Sequence, residues 1–202
     1  MKEKKKKNNK GPLDEALGIV LIALSAILTI SLLSYSSPDP SFNTAGGGGK
    51  LHNYIGVFGS YTADMMLQLF GGGAYLIPFM IFLYGANKLL RKEKEPKALR
   101  LAGGGFLLLS TSAILRLRFD ALFIFNERIP SGGFLGSLIS DILIKYLSLT
   151  GSYIVIITIL LASLTITTRF SLVSLASGFK DASVVIFNKV GDYLRERRER
   201  KT

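Results

Sequence analysis

The sequence predicts an all-α integral membrane protein of four transmembrane helices with outer-surface amphipathic helices and a parallel two-helix internal repeat. Three observations predict it. Of 202 residues, 49% are hydrophobic although the net charge is +11. The charged residues are missing from four long stretches. The basic residues that remain lie mostly on one side of those stretches. A soluble basic domain, such as a nucleic-acid binder, does not average so apolar, and a disordered basic chain is excluded by the apolar content.

The first uncharged run is Ala16 to Pro38, with an apolar core from Leu17 to Ser34. The second runs from Met65 to Asn87, the third from Leu101 to Leu115 between Arg100 and Arg116, and the fourth from Tyr146 to Thr168. A spanning helix needs about 20 such residues, because the hydrocarbon core is about 30 Å thick and a helix rises about 1.5 Å per residue. The third run is short, but Arg100 and Arg116 can carry their charges outward from its ends. The expected spans are about 17–36, 65–90, 100–118 and 146–168, within a membrane domain of 16–172. Residues 1–15 read as a basic tail and 173–202 as an amphipathic, charged helix that begins a linker. The first run follows a Lys-rich start but is too long for a signal-peptide core, and no Ala-x-Ala follows it.

Four spans put both termini on one side. Twenty of the 25 basic residues, in the N-terminal tail, the 88–100 connection and the C-terminal segment, share that side. Only Lys50, Arg116, Arg118, Arg128 and Lys145 lie on the other. Cytoplasmic segments carry the Lys/Arg excess, so the termini and the 88–100 connection are expected in the cytoplasm. The Lys4–Lys7 run reads as a topology signal, with nucleic-acid or acidic-lipid binding as the alternative.

Outside the membrane, Pro38 and Pro40 forbid helix and Gly46–Gly49 is flexible. Leu51, Tyr54, Ile55, Phe58, Thr62 and Met65 then recur at helical spacing, the pattern of an amphipathic helix leading into the second span. Gly71-Gly-Gly73 should break the join. Gly56-Val-Phe-Gly59-Ser60-Tyr-Thr-Ala-Asp64 aligns without gaps on Gly133-Phe-Leu-Gly136-Ser137-Leu-Ile-Ser-Asp141, identical at four of nine positions. Each block precedes a span, hence the expected repeat about an axis along the membrane normal. Gly56, Gly59, Ser60, Gly133, Gly136, Ser137 and Ser140 are candidate helix-packing positions, where small residues let backbones approach.

No cysteine is present and His52 is the one histidine, so thiolate and His-rich metal sites are excluded and no cofactor is expected. The expected spans hold no Asp, Glu, Lys, Arg or His between their ends, so no intramembrane catalytic constellation is expected. Gly46-Gly-Gly-Gly49-Lys50 superficially suggests a phosphate loop, but Thr44 and Leu51 stand where that motif needs Gly and Ser/Thr. Asp64 and Asp141 are expected at the water-accessible outer edge. A small four-helix channel or transporter subunit is the alternative function, since the Gly71–Gly73 and Gly103–Gly105 runs could break helices.

Ser34-Tyr35-Ser-Ser-Pro-Asp39-Pro40-Ser41-Phe after a first span resembles the Ser-Tyr-x-x-x-Asp-Pro-Ser segment of the FtsK/SpoIIIE DNA translocases. Asn53-Tyr-Ile-Gly56, Ala63-Asp64, Phe70-Gly71, Leu76-Ile-Pro78 and Gly132-Gly-Phe-Leu-Gly136 extend the similarity over about residues 13–172. The resemblance implies an anchor in the bacterial inner membrane that self-assembles, as a hexamer, at the division septum beside other division proteins. In that family a linker and an ATPase motor follow, and DNA is reached through the motor. This chain carries neither up to Thr202, so it is expected to be the anchor part of a larger protein or a free-standing anchor.

Overall fold

The computed structural model describes residues 12–42, 44, 50–90, 97–125 and 127–168. The basic tail before Pro12 and the amphipathic segment 173–202 lie outside the described residues. Helix α1 covers Pro12–Leu33, α2 Gly56–Phe70, a 3-10 segment Gly71–Tyr75, α3 Leu76–Leu89, α4 Lys97–Arg118 and α5 Gly133–Thr168. Between α4 and α5 stand two antiparallel strands, β1 Ala121–Ile124 and β2 Glu127–Pro130, with Leu122 opposite Ile129.

Among the described residues four helical stretches are long and apolar enough to cross a membrane: Pro12–Leu33, Gly56–Leu89, Ala98–Arg118 and Gly133–Thr167. Helix α1 begins with Pro12, whose missing N–H costs nothing there, and carries Asp14 and Glu15 against the positive end of its dipole. Helix α4 places Arg116 and Arg118 in its last turn, where the dipole is negative. Large apolar side chains such as Ile19, Val20, Phe79, Phe82 and Ile154 are exposed, the inverse of a soluble bundle and the expected face toward hydrocarbon.

The second and fourth helical stretches are 34 and 35 residues long, more than a bilayer needs. Each is interrupted. Gly71 turns the chain with φ +57 and donates its N–H to Leu67 O, and the 3-10 segment follows. Ser148 breaks α5 with φ 59 and ψ 174. Past Gly71 the chain rises about 30 Å to Leu89, and past Ser148 about 30 Å to Thr168, one hydrocarbon thickness each.

These landmarks recur in the two halves. Gly56 and Gly133, aligned by sequence, both open their helices at positive φ, +77 and +63. Gly71 follows Gly56 at the same distance along the chain as Ser148 follows Gly133. Helices α1 and α4 are both 22 residues long, and Gly18 and Gly103 hold the same position within them. A Cβ on Gly18 would stand 3.0 Å from Gly85 O and 3.1 Å from Leu89 N; one on Gly103 would stand 2.7 Å from the Ile166 side chain. Leu89 and Ile166 are themselves equivalent under the Gly56–Gly133 alignment. The α1–α3 and α4–α5 crossings are therefore built on the same glycine.

The described core is small and lies toward the C-terminal end of α1. Leu32, Ala63, Leu67, Ala74 and Ile129 form it, with Tyr35, Phe70, Tyr75 and Leu122 packed around them. It joins the end of α1, the inner face of α2, the 3-10 segment and the hairpin. At the opposite end, Lys88 is buried and ion-paired with Asp14, tying α3 back to the first turn of α1.

Candidate functional site

The residues between α1 and α2 build a polar latch. Asp39 has its side chain 3% exposed. Its carboxylate accepts the backbone N–H of His52 at 3.0 and 3.1 Å and that of Asn53 at 2.8 Å, and meets His52 Nδ1 at 3.0 Å. Burial pushes this carboxyl upward, but the amide and ring of His52 and the amide of Asn53 outweigh burial and hold it below its ordinary value of 3.8. The prolines on either side of Asp39 limit the backbone here, and Asp39 N donates to Ser36 O at 3.2 Å.

Asn53 transmits the latch to α1. Its Nδ2 donates to Ser31 O at 2.9 Å and Ser34 O at 3.3 Å, and its Oδ1 accepts Ile55 N–H at 3.1 Å. It satisfies carbonyls at the end of α1 that have no partner within the helix. Ser34 Oγ donates to Ile30 O at 2.7 Å and accepts Tyr54 N–H at 3.0 Å. Ser41 N–H donates to Thr44 O at 2.8 Å, and Thr44 N–H returns to Ser41 Oγ at 3.2 Å. Pro40 O accepts the Ser60 hydroxyl, which secures the loop to α2.

Tyr35 crosses from the loop to α2. Its hydroxyl donates to Asp64 Oδ1 at 3.3 Å, and Gln68 Nε2 donates to Asp64 Oδ2 at 2.6 Å. Asp64 is buried, not at a water-accessible edge as expected, because Tyr35 and the neighbouring core cover it. Burial first, then Asp64, pushes the Tyr35 phenol up to about 12. Asp141, equivalent by sequence, is exposed. Ser36 Oγ donates to Glu127 at 3.1 Å, so the latch also touches the hairpin of the other half.

The small residues divide by role. Gly56 and Gly133 supply the positive φ that opens their helices. Gly59 faces Asn53 and Ile55, leaving room for the latch rather than for another helix. Gly136 does pack helix on helix: a Cβ there would come within 2.6 Å of Ser112 O on α4. Ser140 Oγ donates to Ala113 O on α4 at 3.0 Å, whereas Ser137 bonds back to Gly133 O at 2.9 Å within α5. Ser112 Oγ donates to Phe70 O at 2.8 Å and Gly72 N–H to Ser131 O at 2.8 Å, joining the halves where α2 ends. Ser112, Ser131 and the hairpin were not anticipated, since a hairpin of Ala121-Leu-Phe-Ile and Glu127-Arg-Ile-Pro reads as a connector without its partners.

Among the described residues no group of three or more His, Cys, Asp or Glu side chains could hold a metal ion. The latch joins side chains to backbone groups and to one another across α1, the loop and α2, which positions helices.

A family model described as the 4TM region of DNA translocase FtsK/SpoIIIE matches residues 11–180. DNA translocase FtsK of Vibrio parahaemolyticus is 27% identical over 190 residues, covering 91% of this chain and 18% of that protein. The relative of the same name from Rickettsia bellii is 37% identical over 115 residues, 56% of this chain and 14% of that protein. That from Pseudomonas syringae is 30% identical over 169 residues, 79% of this chain and 20% of that protein. The chain thus spans about a fifth or less of the curated relatives it matches. No solved structure matches. The family model covers most of the chain, residues 11–180 of 202: the chain belongs to the family of the four-transmembrane region of the FtsK/SpoIIIE DNA translocases.

Proposed function

We propose that this chain is the membrane anchor and self-assembly region of a septal DNA translocase, acting in bacterial cell division and chromosome segregation. The observation that carries this reading is the family match over 11–180, spread across four helices long and apolar enough to span a bilayer. The anchor holds both termini in the cytoplasm of the inner membrane, where the Lys/Arg excess lies. The latch and hairpin then face outward. Copies associate, as a hexamer by analogy with the family, and division proteins are further partners. Catalysis and DNA contact belong to a motor outside the region matched here.

The chain fused to a fluorescent protein and expressed in dividing cells tests the proposal. A band at the septum is expected. Uniform membrane staining would remove the septal role.

A further inference from the structure

The two halves share more than their spanning parts. Each carries an outer helix between its positive-φ glycine and its break: α2 from Gly56 to Phe70, and the part of α5 from Gly133 to the kink at Ser148. Each outer helix shows an uncovered apolar stripe at the same repeat positions. In the first half Val57 is 58% and Met65 44% exposed, with half-buried Tyr61 between them. In the second half Phe134, Leu138 and Ile142 are all exposed. Val57 aligns with Phe134, Tyr61 with Leu138 and Met65 with Ile142. The spacing of four residues keeps each stripe on one face.

We propose that these stripes seat both outer helices in the interfacial layer of the outer leaflet, so that the membrane grips the domain twice beyond its four spans. The proposal rests on the four-span reading. The lengths support a lipid occupant: the segments past Gly71 and past Ser148 already cross one hydrocarbon thickness, which leaves each outer helix at the boundary. The approach to Ser148 supports it as well. Ile144, Tyr146, Leu147 and Leu149 are exposed, so no single protein-facing side remains there and lipid can surround the chain. Lys145 stands over the Tyr146 ring at 5.7 Å, a cation and an aromatic of the kinds that anchor helices at the headgroup level. In the first half, Phe42 packs edge-on to Tyr61 at 5.0 Å, widening that stripe with a second ring.

The chain has no cysteine, so single cysteines can carry a nitroxide label without other changes. Labels at Val57, Met65, Phe134 and Ile142 would be read in phospholipid vesicles for collision with oxygen, which favours lipid, and with a nickel chelate, which favours water. Ile154, exposed on the last span, reports the bilayer, and Asp120, whose side chain is 94% exposed, reports water. Oxygen collisions several-fold above nickel at all four stripe sites, with matching values within Val57/Phe134 and Met65/Ile142, are expected. Stripe sites as nickel-accessible as Asp120, or shielded from both reagents, would overturn the proposal. A lipid-facing Ile154 beside such a result would leave the four-span reading standing, whereas a nickel-accessible Ile154 would overturn both.

Discussion

Asp39 accepts the backbone N–H of Asn53 at 2.8 Å, and Asn53 in turn holds the carbonyls of Ser31 and Ser34. One carboxylate thereby fixes where α1 ends and α2 begins. Asp39→Ala leaves two backbone donors without their acceptor, and the loss is expected to be about 1–3 kcal/mol. Thermal unfolding in a fixed detergent checks it. Asp39→Asn should fall between, because an amide oxygen accepts more weakly than a carboxylate.

The latch should also respond to acid and to alkali. Asp39 is held below its ordinary value of 3.8, so its contribution is complete above that value and declines as pH falls through the lower folded one. Unfolding temperature should therefore drop more steeply below about pH 4 in the parent than in Asp39→Ala. The Tyr35 phenol is raised to about 12, so the neutral form is favoured by folding, and this contribution is lost as pH rises from 10 through 12. An ultraviolet titration should show a late-ionising tyrosine that disappears in Tyr35→Phe.

Gly136 has no room for a side chain beside the Ser112 backbone. Gly136→Val should part α4 from α5 and cost about 1–3 kcal/mol. Gly105 has nothing within 4 Å of where a Cβ would stand. Gly105→Ala is expected to be neutral or stabilising by up to about 1 kcal/mol, since alanine is the better helix former. The two variants, compared by unfolding in the same detergent, separate packing from a general intolerance of substitution.

Lys88 and Asp14 join the ends of α3 and α1 beside the Gly18–Gly85 crossing. Lys88→Asp alone should destabilise strongly by placing like charges together. Combining it with Asp14→Lys should restore part of the loss, with a coupling of about 0.5–3 kcal/mol in a double-mutant cycle. Additive losses would show that the pair is not energetically linked.

The spans were legible because a bilayer excludes charge, and the uncharged runs locate them. Their limits were less so. The second and fourth helical stretches start at Gly56 and Gly133, because the outer helices run on into the spans with only the breaks at Gly71 and Ser148 between them. The repeat was visible as four identities in nine residues. Its backbone counterpart was partly hidden, since Gly71 and Ser148 share a left-handed turn but not a residue type. The Asp-Pro-Ser segment stood out by composition, but its partners did not. Asn53, Asp64 and Lys88 act through contacts distant in sequence, and neither periodicity nor spacing encodes those.

Topology tests the account most directly. Single cysteines at Lys50, Asp120, Lys6 and Lys94 would be exposed in intact spheroplasts to a membrane-impermeant maleimide. Labelling of Lys50→Cys and Asp120→Cys in intact cells, and of Lys6→Cys and Lys94→Cys only after permeabilisation, is the predicted result. Labelling of Lys94→Cys in intact cells, or protection of Asp120→Cys until permeabilisation, would contradict a four-pass anchor with its latch outside and its termini within.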